Sequence, residues 1–331
     1  MSTDPTRRIR LGSTGPQVFP VALGCMAMSG VYGASDEKES IATIRDAIER
    51  GLTLIDTGDF YASGHNEMLV RRGIEGLREK VQLSVKFGVM RGPDGAHLGV
   101  DARPEAAKNS VTYSLTRLGV DVIDVYRPAR LDPSVPIEDS VGAIADLVKA
   151  GYVRHVGLSE VGVDTIRRAA KVHPISDLQI EYSIVTRGPE EGIFPTLAEL
   201  GIGATLYGVL SRGLLAGSRA DGKGDNRAHM PRFSGEAGKR NAAAIARLHA
   251  FAHERAMTPA QLAVAWVLAK QPALVPVLGA RTRKQLQDVL GALERPLSLA
   301  EVAAIETLLP KGAIEGTRYP AAHMRQLDSE R

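Results

Sequence analysis

Three polar side chains stand at the ends of two apolar segments, where they could act together on a proton. One apolar segment leads into Asp56 and then to Tyr61, and the next ends at Lys86. A carboxylate and an ammonium group at the ends of adjacent strands would lie roughly 5 Å apart. A nearby ammonium group lowers the pKa of a phenol. The pattern predicts Tyr61 as a general acid, with a structural ion pair beside an ordinary loop tyrosine as the equal alternative.

A second group of charges follows the last apolar segment of the chain. The sequence Arg281-Thr282-Arg283-Lys284 stands at the start of a helical pattern that Thr282 can cap. Cations at a helix N-terminus oppose the helix dipole, whereas a phosphate there is held by both the cations and the backbone N–H groups. We therefore expect an anion site here in preference to a solvated basic turn.

The elements that must position these residues are repeated βα units. Short segments rich in β-branched residues alternate with longer amphipathic ones, which is typical of a parallel sheet. Eight such segments begin near Val21, Thr53, Val81, Val122, Val153, Asp177, Gly203 and Ala273. The count predicts the α/β class and a (β/α)8 TIM barrel in which residues 1–331 form one domain. In such barrels the active site lies at the C-terminal ends of the strands.

Three further segments are expected around this barrel. Residues 9–11 and 18–19 flank Gly12 to Gly15 and predict an N-terminal hairpin that closes the bottom of the barrel. A polar, glycine-rich stretch from Ser211 to about Lys239 is longer than usual after strand seven and is a candidate lid. An irregular C-terminal tail to Arg331 is expected to fold over the mouth, with fraying as the alternative.

Composition excludes several classes of function. Of the 331 residues, 44% are hydrophobic and 24% are charged, which suits a globular protein with a large core. The net charge is only +3 and the cations are scattered, so we expect no nucleic-acid partner. Cys25 is the only cysteine, which excludes an intramolecular disulfide and fits a reducing compartment, so we expect the cytoplasm. No apolar segment has the length of a membrane helix.

Motifs for other chemistry are absent from the sequence. No Gly-x-Gly-x-x-Gly follows a predicted strand, which disfavours a Rossmann dinucleotide site. The chain has neither metal-ligand spacings nor a nucleophile elbow. We therefore expect no metal, and the proton-transfer cluster and the anion site remain the two candidates for function.

The separated motifs resemble those of the aldo-keto reductase family, in family order from about Leu11 to the tail. Asp56-Thr57 with Tyr61 is similar to the family's Asp-Thr-Ala...Tyr-Gly, and Lys86 matches the lysine of strand three. The other matches are Gly24-Cys25-Met26, Gly157-Leu158-Ser159-Glu160 in strand five, Gln179 in strand six, and Tyr207 with Arg212-Gly213 after strand seven.

This resemblance implies that NADPH binds across the mouth and gives a hydride to a carbonyl, whose oxygen Tyr61 protonates. It makes Asp56, Tyr61 and Lys86 the catalytic residues. Ser159 and Gln179 would hold the carboxamide, and Tyr207 would stack on the nicotinamide. The backbone at Leu210, Arg212 and Gly213 would approach the pyrophosphate. Arg281 would bind the 2′-phosphate. The other expected cofactor contacts are Gly24, Cys25, Met26, Asp56, Glu160, Gly279, Gln285 and Asp288.

The partner expected is a small carbonyl substrate, and strand four departs from the family where that substrate would bind. Family members commonly read Asp-Leu-Tyr-Tyr-Gln-His-Arg-x-Asp, whereas this chain has Ala129 at the histidine position. Loss of a donor to the substrate oxygen costs about 10²–10³-fold in rate if nothing replaces it. At the adenosine end, Gln285 and Val289 stand where the family often has Arg and Asn. Other expected substrate contacts are Met28, Tyr32 and the tail around Tyr319 and Met324.

Three functions remain open at this point. The preferred one is a carbonyl reductase in which a water, His65 or a substrate hydroxyl fills the role of the missing histidine. The second is a cofactor-binding regulatory subunit of the same fold. The third is a shifted reaction, either reduction of a conjugated double bond or net oxidation of an alcohol.

Overall fold

The computed structural model describes residues 6–218 and 225–331, and its centre is a closed barrel of eight parallel strands. Each strand pairs with its neighbours in chain order and the last pairs with the first, as the (β/α)8 prediction requires. The strands are β1 (Ala22–Gly24), β2 (Leu54–Gly58), β3 (Gln82–Phe87), β4 (Ile123–Pro128), β5 (Val153–Ser159), β6 (Ile175–Glu181), β7 (Gly203–Tyr207) and β8 (Val275–Gly279). Every strand begins within two residues of its predicted start.

Helices surround this barrel and bury one face against it. They are α1 (Glu37–Glu49), α2 (His65–Gly73), α3 (Pro104–Leu118), α4 (Ile137–Lys149), α5 (Val163–Val172), α6 (Ile193–Leu200), α7 (Gly235–Glu254), α8 (Pro259–Lys270), α9 (Arg283–Leu290), α10 (Leu299–Leu308) and α11 (Ala321–Met324). In α1 the Asp36 side chain accepts a hydrogen bond from the Glu39 backbone N–H, and Ile44, Ala47 and Ile48 are buried. Asp36 therefore caps this helix, and its apolar side chains are the ones that it buries.

The bottom of the barrel is closed by the predicted hairpin, whose strands are Ile9–Arg10 and Gln17–Val18. Leu11 and Val18 are buried against apolar side chains from the barrel strands. Gly12 has a φ of +60°, and a Cβ there would lie 2.5 Å from the Gly203 nitrogen. Glycine is therefore required where this hairpin meets the start of β7.

Two segments lie at the opposite end of the barrel, where the site is expected. In the connection after β7, α7 begins at Gly235, a few residues before the predicted end of the connection at about Lys239. Residues 219–224 of this connection lie outside the described part of the chain. A second hairpin follows β3 and was not predicted. Its antiparallel strands are Val89–Arg91 and His97–Val100. Among the described helices none is long and apolar enough to cross a membrane.

Candidate active site

A buried ion pair lies at the mouth of the barrel, at the C-terminal ends of β2 and β3. The Lys86 Nζ is 2.5 Å from the Asp56 Oδ1, and both side chains are almost fully buried. The register places Asp56 opposite Ser84, and the Ser84 hydroxyl donates to the other carboxylate oxygen at 2.8 Å. Burial lowers the pKa of the Lys86 ammonium group, and the Asp56 charge opposes that shift.

Tyr61 lies beside this pair in the turn after β2. The Lys86 Nζ is 5.0 Å from the centre of the Tyr61 ring, whose edge packs on Phe60. The next two residues, Ala62 and Ser63, hold positive φ angles of 47° and 52°, a strained conformation for non-glycine residues of the kind that clusters at functional sites. Burial raises the pKa of Tyr61 well above its usual value, and the Asp56 charge adds to the rise. The expected lowering of this pKa was therefore wrong, because spacing in the sequence does not reveal burial.

A line of polar side chains runs from Asp56 into the barrel interior. The Gln179 amide donates to the Asp56 Oδ2 at 2.8 Å and reaches the Thr205 hydroxyl at 3.4 Å. Thr205 in turn donates to Asp177 at 2.7 Å. Gln179 therefore orients the carboxylate in addition to its expected role at the carboxamide. Ser84, Thr205 and Asp177 were not predicted as site residues, although each is a polar residue within an apolar strand.

The deepest member of this line is Arg127, which is fully buried inside the barrel. Its guanidinium group is 3.0 Å from Asp177 on β6 and donates to Thr205 on β7 at 3.2 Å. A Cβ at Gly157 of β5 would lie 2.7 Å from the Arg127 Nε. The glycine in the strand-five motif therefore makes room for this arginine.

Two buried hydroxyl groups at the mouth have no hydrogen-bond partner within the described part of the chain. They are the Ser159 Oγ at the end of β5 and the Ser211 Oγ after β7. Burying a hydroxyl group without a partner costs free energy. Ser211, Arg212 and Gly213 also have positive φ angles of 46°, 56° and 90° in succession. Both hydroxyl groups therefore lie where an external polar group can complete their hydrogen bonds.

Glu160 lies next to Ser159, but its side chain is turned to the C-terminal tail. Its carboxylate pairs with Arg318 at 2.9 and 3.0 Å and accepts hydrogen bonds from Ser329 at 2.6 Å and Tyr207 at 2.7 Å. Burial alone would raise the pKa of Glu160, but Arg318 and the other partners outweigh burial and lower it to about 2. These internal partners do not leave the carboxylate free for a cofactor, so the structure does not support a side-chain contact there.

The tail also covers the loop after β7. The Tyr319 ring lies 4.2 Å from the Arg212 guanidinium group, and its hydroxyl is 3.2 Å from that of Tyr207. Arg212 pairs with Glu181 at 3.0 Å. The predicted tail lies over the mouth and contacts β6 and β7 and the residue that follows β5, through Arg318 and Tyr319. The Arg212 side chain contacts Tyr319 and Glu181, so only the backbone of Arg212 remains for a cofactor.

The predicted anion site at β8 is assembled only in part. Thr282 caps α9, and Arg281 donates to the carbonyl oxygens of Tyr32 and Ala34, each at 3.2 Å. Arg283 pairs instead with Glu39 at 2.9 Å. The remaining predicted contacts are Gly279, Gln285 and Asp288, of which Gly279 is exposed. The Gln285 side chain accepts a hydrogen bond from the Arg281 backbone N–H at 2.9 Å, and Asp288 accepts one from the Thr258 hydroxyl at 2.9 Å. Among the described residues, neither Arg281 nor Lys284 forms an ion pair with a carboxylate, and Arg281 is the one of the two that is held against the Tyr32 loop.

The loop after β1 divides its predicted residues between the core and the mouth. The side chains of Cys25 and Met28 are buried in the main hydrophobic core, and the substrate contact expected of Met28 stays a prediction. The Cys25 backbone N–H donates to the Asp56 carbonyl oxygen at 2.9 Å, which holds this loop against β2. Tyr32 lies 5.6 Å from the Arg227 guanidinium group of the loop after β7. Met26 and Leu210 are half-buried on these same two loops, and half-buried Gly24 is the last residue of β1.

Ala129 follows β4 and is completely buried next to the mouth. Its N–H donates to the Phe87 carbonyl oxygen at 2.8 Å, which keeps the end of β4 against β3. The following residue, Arg130, is half-buried and donates from Nη1 to the Ala129 carbonyl oxygen at 2.6 Å. The His65 ring nitrogen Nδ1 is 3.1 Å from the Ser29 hydroxyl and is exposed.

Comparison with known proteins relates this geometry to a family. Residues 20–310 match the model of the aldo/keto reductase family. A probable aldo-keto reductase 1 from Glycine max is 39% identical over 319 residues, which cover 94% of this chain and 91% of that protein.

Two solved structures share the barrel. A glycerol dehydrogenase from Gluconobacter oxydans superposes with a TM-score of 0.81 at 28% identity, covering 93% of this chain and 96% of that one. The holo form of an aldo-keto reductase from Bacillus halodurans gives a TM-score of 0.74 at 26% identity, covering 92% and 96%. With its barrel, its polar mouth and a family match over most of its length, the chain belongs to the aldo/keto reductase family, whose members are oxidoreductases that use nicotinamide cofactors.

Proposed function

We propose that this protein is an NADPH-dependent reductase of an aldehyde or ketone, with Tyr61 as the general acid. The observation that carries the proposal is the buried Asp56–Lys86 pair with the Tyr61 ring beside it and Gln179 bonded to the same carboxylate. Such a cluster can hold and release a proton where water is excluded. The single, buried cysteine supports a reducing compartment, and we propose the cytoplasm.

The residues present fit a nicotinamide cofactor. The partnerless hydroxyl of Ser159 lies next to Gln179 on the adjacent strand, where an amide group can hydrogen-bond to both side chains. Ser211 offers a second partnerless hydroxyl in the loop expected at the pyrophosphate. When bound, the reduced nicotinamide supplies the hydride. The chain itself must hold the carboxamide through Ser159 and Gln179, and the phosphates through the backbone from Leu210 to Gly213.

The protein's own residues then deliver the proton. Because burial raises the pKa of Tyr61, its phenol stays protonated at neutral pH and can donate to the substrate oxygen as negative charge develops there. The Lys86 ammonium group lies over the ring and stabilises the phenolate left behind. Asp56 keeps Lys86 in place, and Ser84 and Gln179 hold Asp56 through its second oxygen.

Ala129 leaves the orientation of the carbonyl to other groups. Its side chain offers no hydrogen-bond donor, and exposed His65 is bonded to Ser29. We propose that a water or a substrate hydroxyl beside Ala129 takes the missing role. The buried position of Ala129 supports this, because a water there would be shielded from bulk solvent.

The proposal is tested by incubating the purified protein with NADPH and a panel of aldehydes and ketones. We expect NADPH absorbance to fall with at least one carbonyl compound and the matching alcohol to form. Tight binding of NADPH without turnover of any compound would instead indicate a regulatory subunit. A saturated carbonyl product from an enone, with no alcohol, would indicate reduction of the conjugated double bond.

Preference for NADPH is expected to depend on Arg281. A charge-assisted hydrogen bond to the 2′-phosphate contributes about 1.5–3 kcal/mol, so Arg281→Ala should weaken NADPH binding by about 10-fold or more. Isothermal titration calorimetry with NADPH and NADH measures the change. NADH serves as the control because it lacks the 2′-phosphate, and its affinity should change little. An equal loss for both cofactors would assign Arg281 to holding the Tyr32 loop instead.

A further inference from the structure

The charges at the barrel mouth do not balance. In the described part of the chain, ion pairs join three carboxylates to three guanidinium groups. Arg318 pairs with all three carboxylates, which are those of Glu160, Glu181 and Glu330. Arg212 and Arg232 also pair with Glu181. Asp56 and Lys86 neutralise each other. Arg130 lies in the same region and has no carboxylate within salt-bridge distance among the described residues. Arg130 therefore contributes unpaired positive charge to this part of the mouth.

Arg130 also retains most of its hydrogen-bonding capacity. Its Nη1 donates to the carbonyl oxygen of Ala129, and its guanidinium group is 6.0 Å from the centre of the Tyr319 ring, the outer limit of a cation–π contact. A guanidinium group has five N–H donors. A half-buried cation with several unused donors has the geometry for an anionic ligand, since a carboxylate or phosphate can accept two parallel hydrogen bonds from it.

The position of Arg130 places this charge beside the reacting centre. It directly follows Ala129, which is buried next to the mouth. Burial dominates the pKa of Tyr61 and raises it, but the Arg130 charge acts in the opposite direction, so the two groups lie within electrostatic range. Arg130 faces Glu160 as well, but both oxygens of that carboxylate are already held by Arg318, Ser329 and Tyr207.

We propose that Arg130 binds an anionic group of the substrate, so that the preferred substrates are aldehydes or ketones that carry a carboxylate or a phosphate. This inference rests on the proposed function and deepens it by naming the substrate class. The anion at Arg130 would orient the carbonyl toward Tyr61 from the side on which Ala129 offers no donor. Arg130 is then the specificity-determining residue of the pocket.

The test compares substrates that differ only in this charge. One pair is 4-oxobutanoate and its methyl ester, and the other is glyceraldehyde 3-phosphate and glyceraldehyde, so the two pairs distinguish a carboxylate from a phosphate. We expect kcat/KM to favour the charged member of one pair by about 10- to 100-fold. Arg130→Met should remove that preference, so that kcat/KM of the charged member falls by about 10- to 100-fold more than that of the neutral member. Arg130→Lys should retain part of it, because the charge remains and the planar fork is lost.

Two further measurements separate this role from others. Arg247→Met removes one exposed charge from α7 and should keep the wild-type preference. Calorimetry compares the affinity for 4-hydroxybutanoate with that for its methyl ester, and the affinity for glycerol 3-phosphate with that for glycerol. Both comparisons are made with and without NADP⁺, and neither requires turnover. Anion binding that Arg130→Met abolishes, in a protein that reduces no carbonyl, would overturn the proposed reaction but support the anion site. No charge preference in either pair, or an equal loss for charged and neutral members, would overturn the role of Arg130.

Discussion

Replacing Tyr61 with Phe is expected to lower kcat for carbonyl reduction by about 10²–10⁴-fold, the contribution typical of a positioned general acid. Phenylalanine retains the ring that packs on Phe60 and faces the Lys86 ammonium group. Only the proton donor is removed. Steady-state rates of NADPH oxidation, with alcohol formation measured separately, give the size of the effect.

Binding of the cofactor controls this experiment. Tyr61→Phe should leave the dissociation constant of NADPH and the melting temperature close to the wild-type values, since the Tyr61 hydroxyl forms no hydrogen bond with the residues that the structure describes. If the variant keeps more than about one tenth of the wild-type kcat, the loss of rate is too small for the removal of a general acid. That result would remove Tyr61 from the mechanism and return the Asp56–Lys86 pair to a structural role.

The largest change in stability is expected from Arg318→Met. This substitution leaves Glu160 buried without its main counter-ion and removes one of the cations around Glu181. Breaking a buried ion pair by removing one partner typically costs about 3–5 kcal/mol. Urea denaturation at pH 7, followed by circular dichroism, measures the free energy of unfolding. Arg325→Met is the matched control because Arg325 is exposed on the same tail, and it should change stability by less than about 0.5 kcal/mol.

The loss of stability in Arg318→Met is expected to depend on pH, because Arg318 acts on the charge of Glu160. In the wild-type protein Arg318, with the other partners of Glu160, lowers the pKa of that carboxyl from 4.5 to about 2. The folded pKa lies below the unfolded value, so the stabilisation is fully present above pH 4.5 and is lost as the pH falls toward 2. The deficit of Arg318→Met should therefore shrink below pH 4.5. A deficit that stays constant over this range would show that lost packing, not lost charge compensation, causes it.

The fold and the central ion pair could be predicted because both follow from local patterns. Alternating segments give the strands, and parallel strands in a barrel bring their C-terminal ends to one mouth. Asp56 and Lys86 each end a strand, so their meeting required only the order of the strands.

Other features depend on contacts between residues far apart in the sequence. Glu160 and Arg318 are separated by 158 positions, and no local pattern indicates that they meet. The lowered pKa expected for Tyr61 was wrong for the same reason, because the burial of its phenol depends on the tail and on several loops. The side chain of Met28 is buried in the core although Met28 lies in a loop at the mouth, and no local pattern indicates this burial.

The ion pair inside the barrel links strands that are distant in the sequence. Arg127 enters the interior from β4, and its carboxylate and hydroxyl partners are carried by β6 and β7. A fragment that ends after β4 lacks the counter-ion of Arg127, and burying that guanidinium group alone would cost several kcal/mol. We therefore expect a half-barrel to leave Arg127 in water, and the barrel to bury it only when β6 and β7 join.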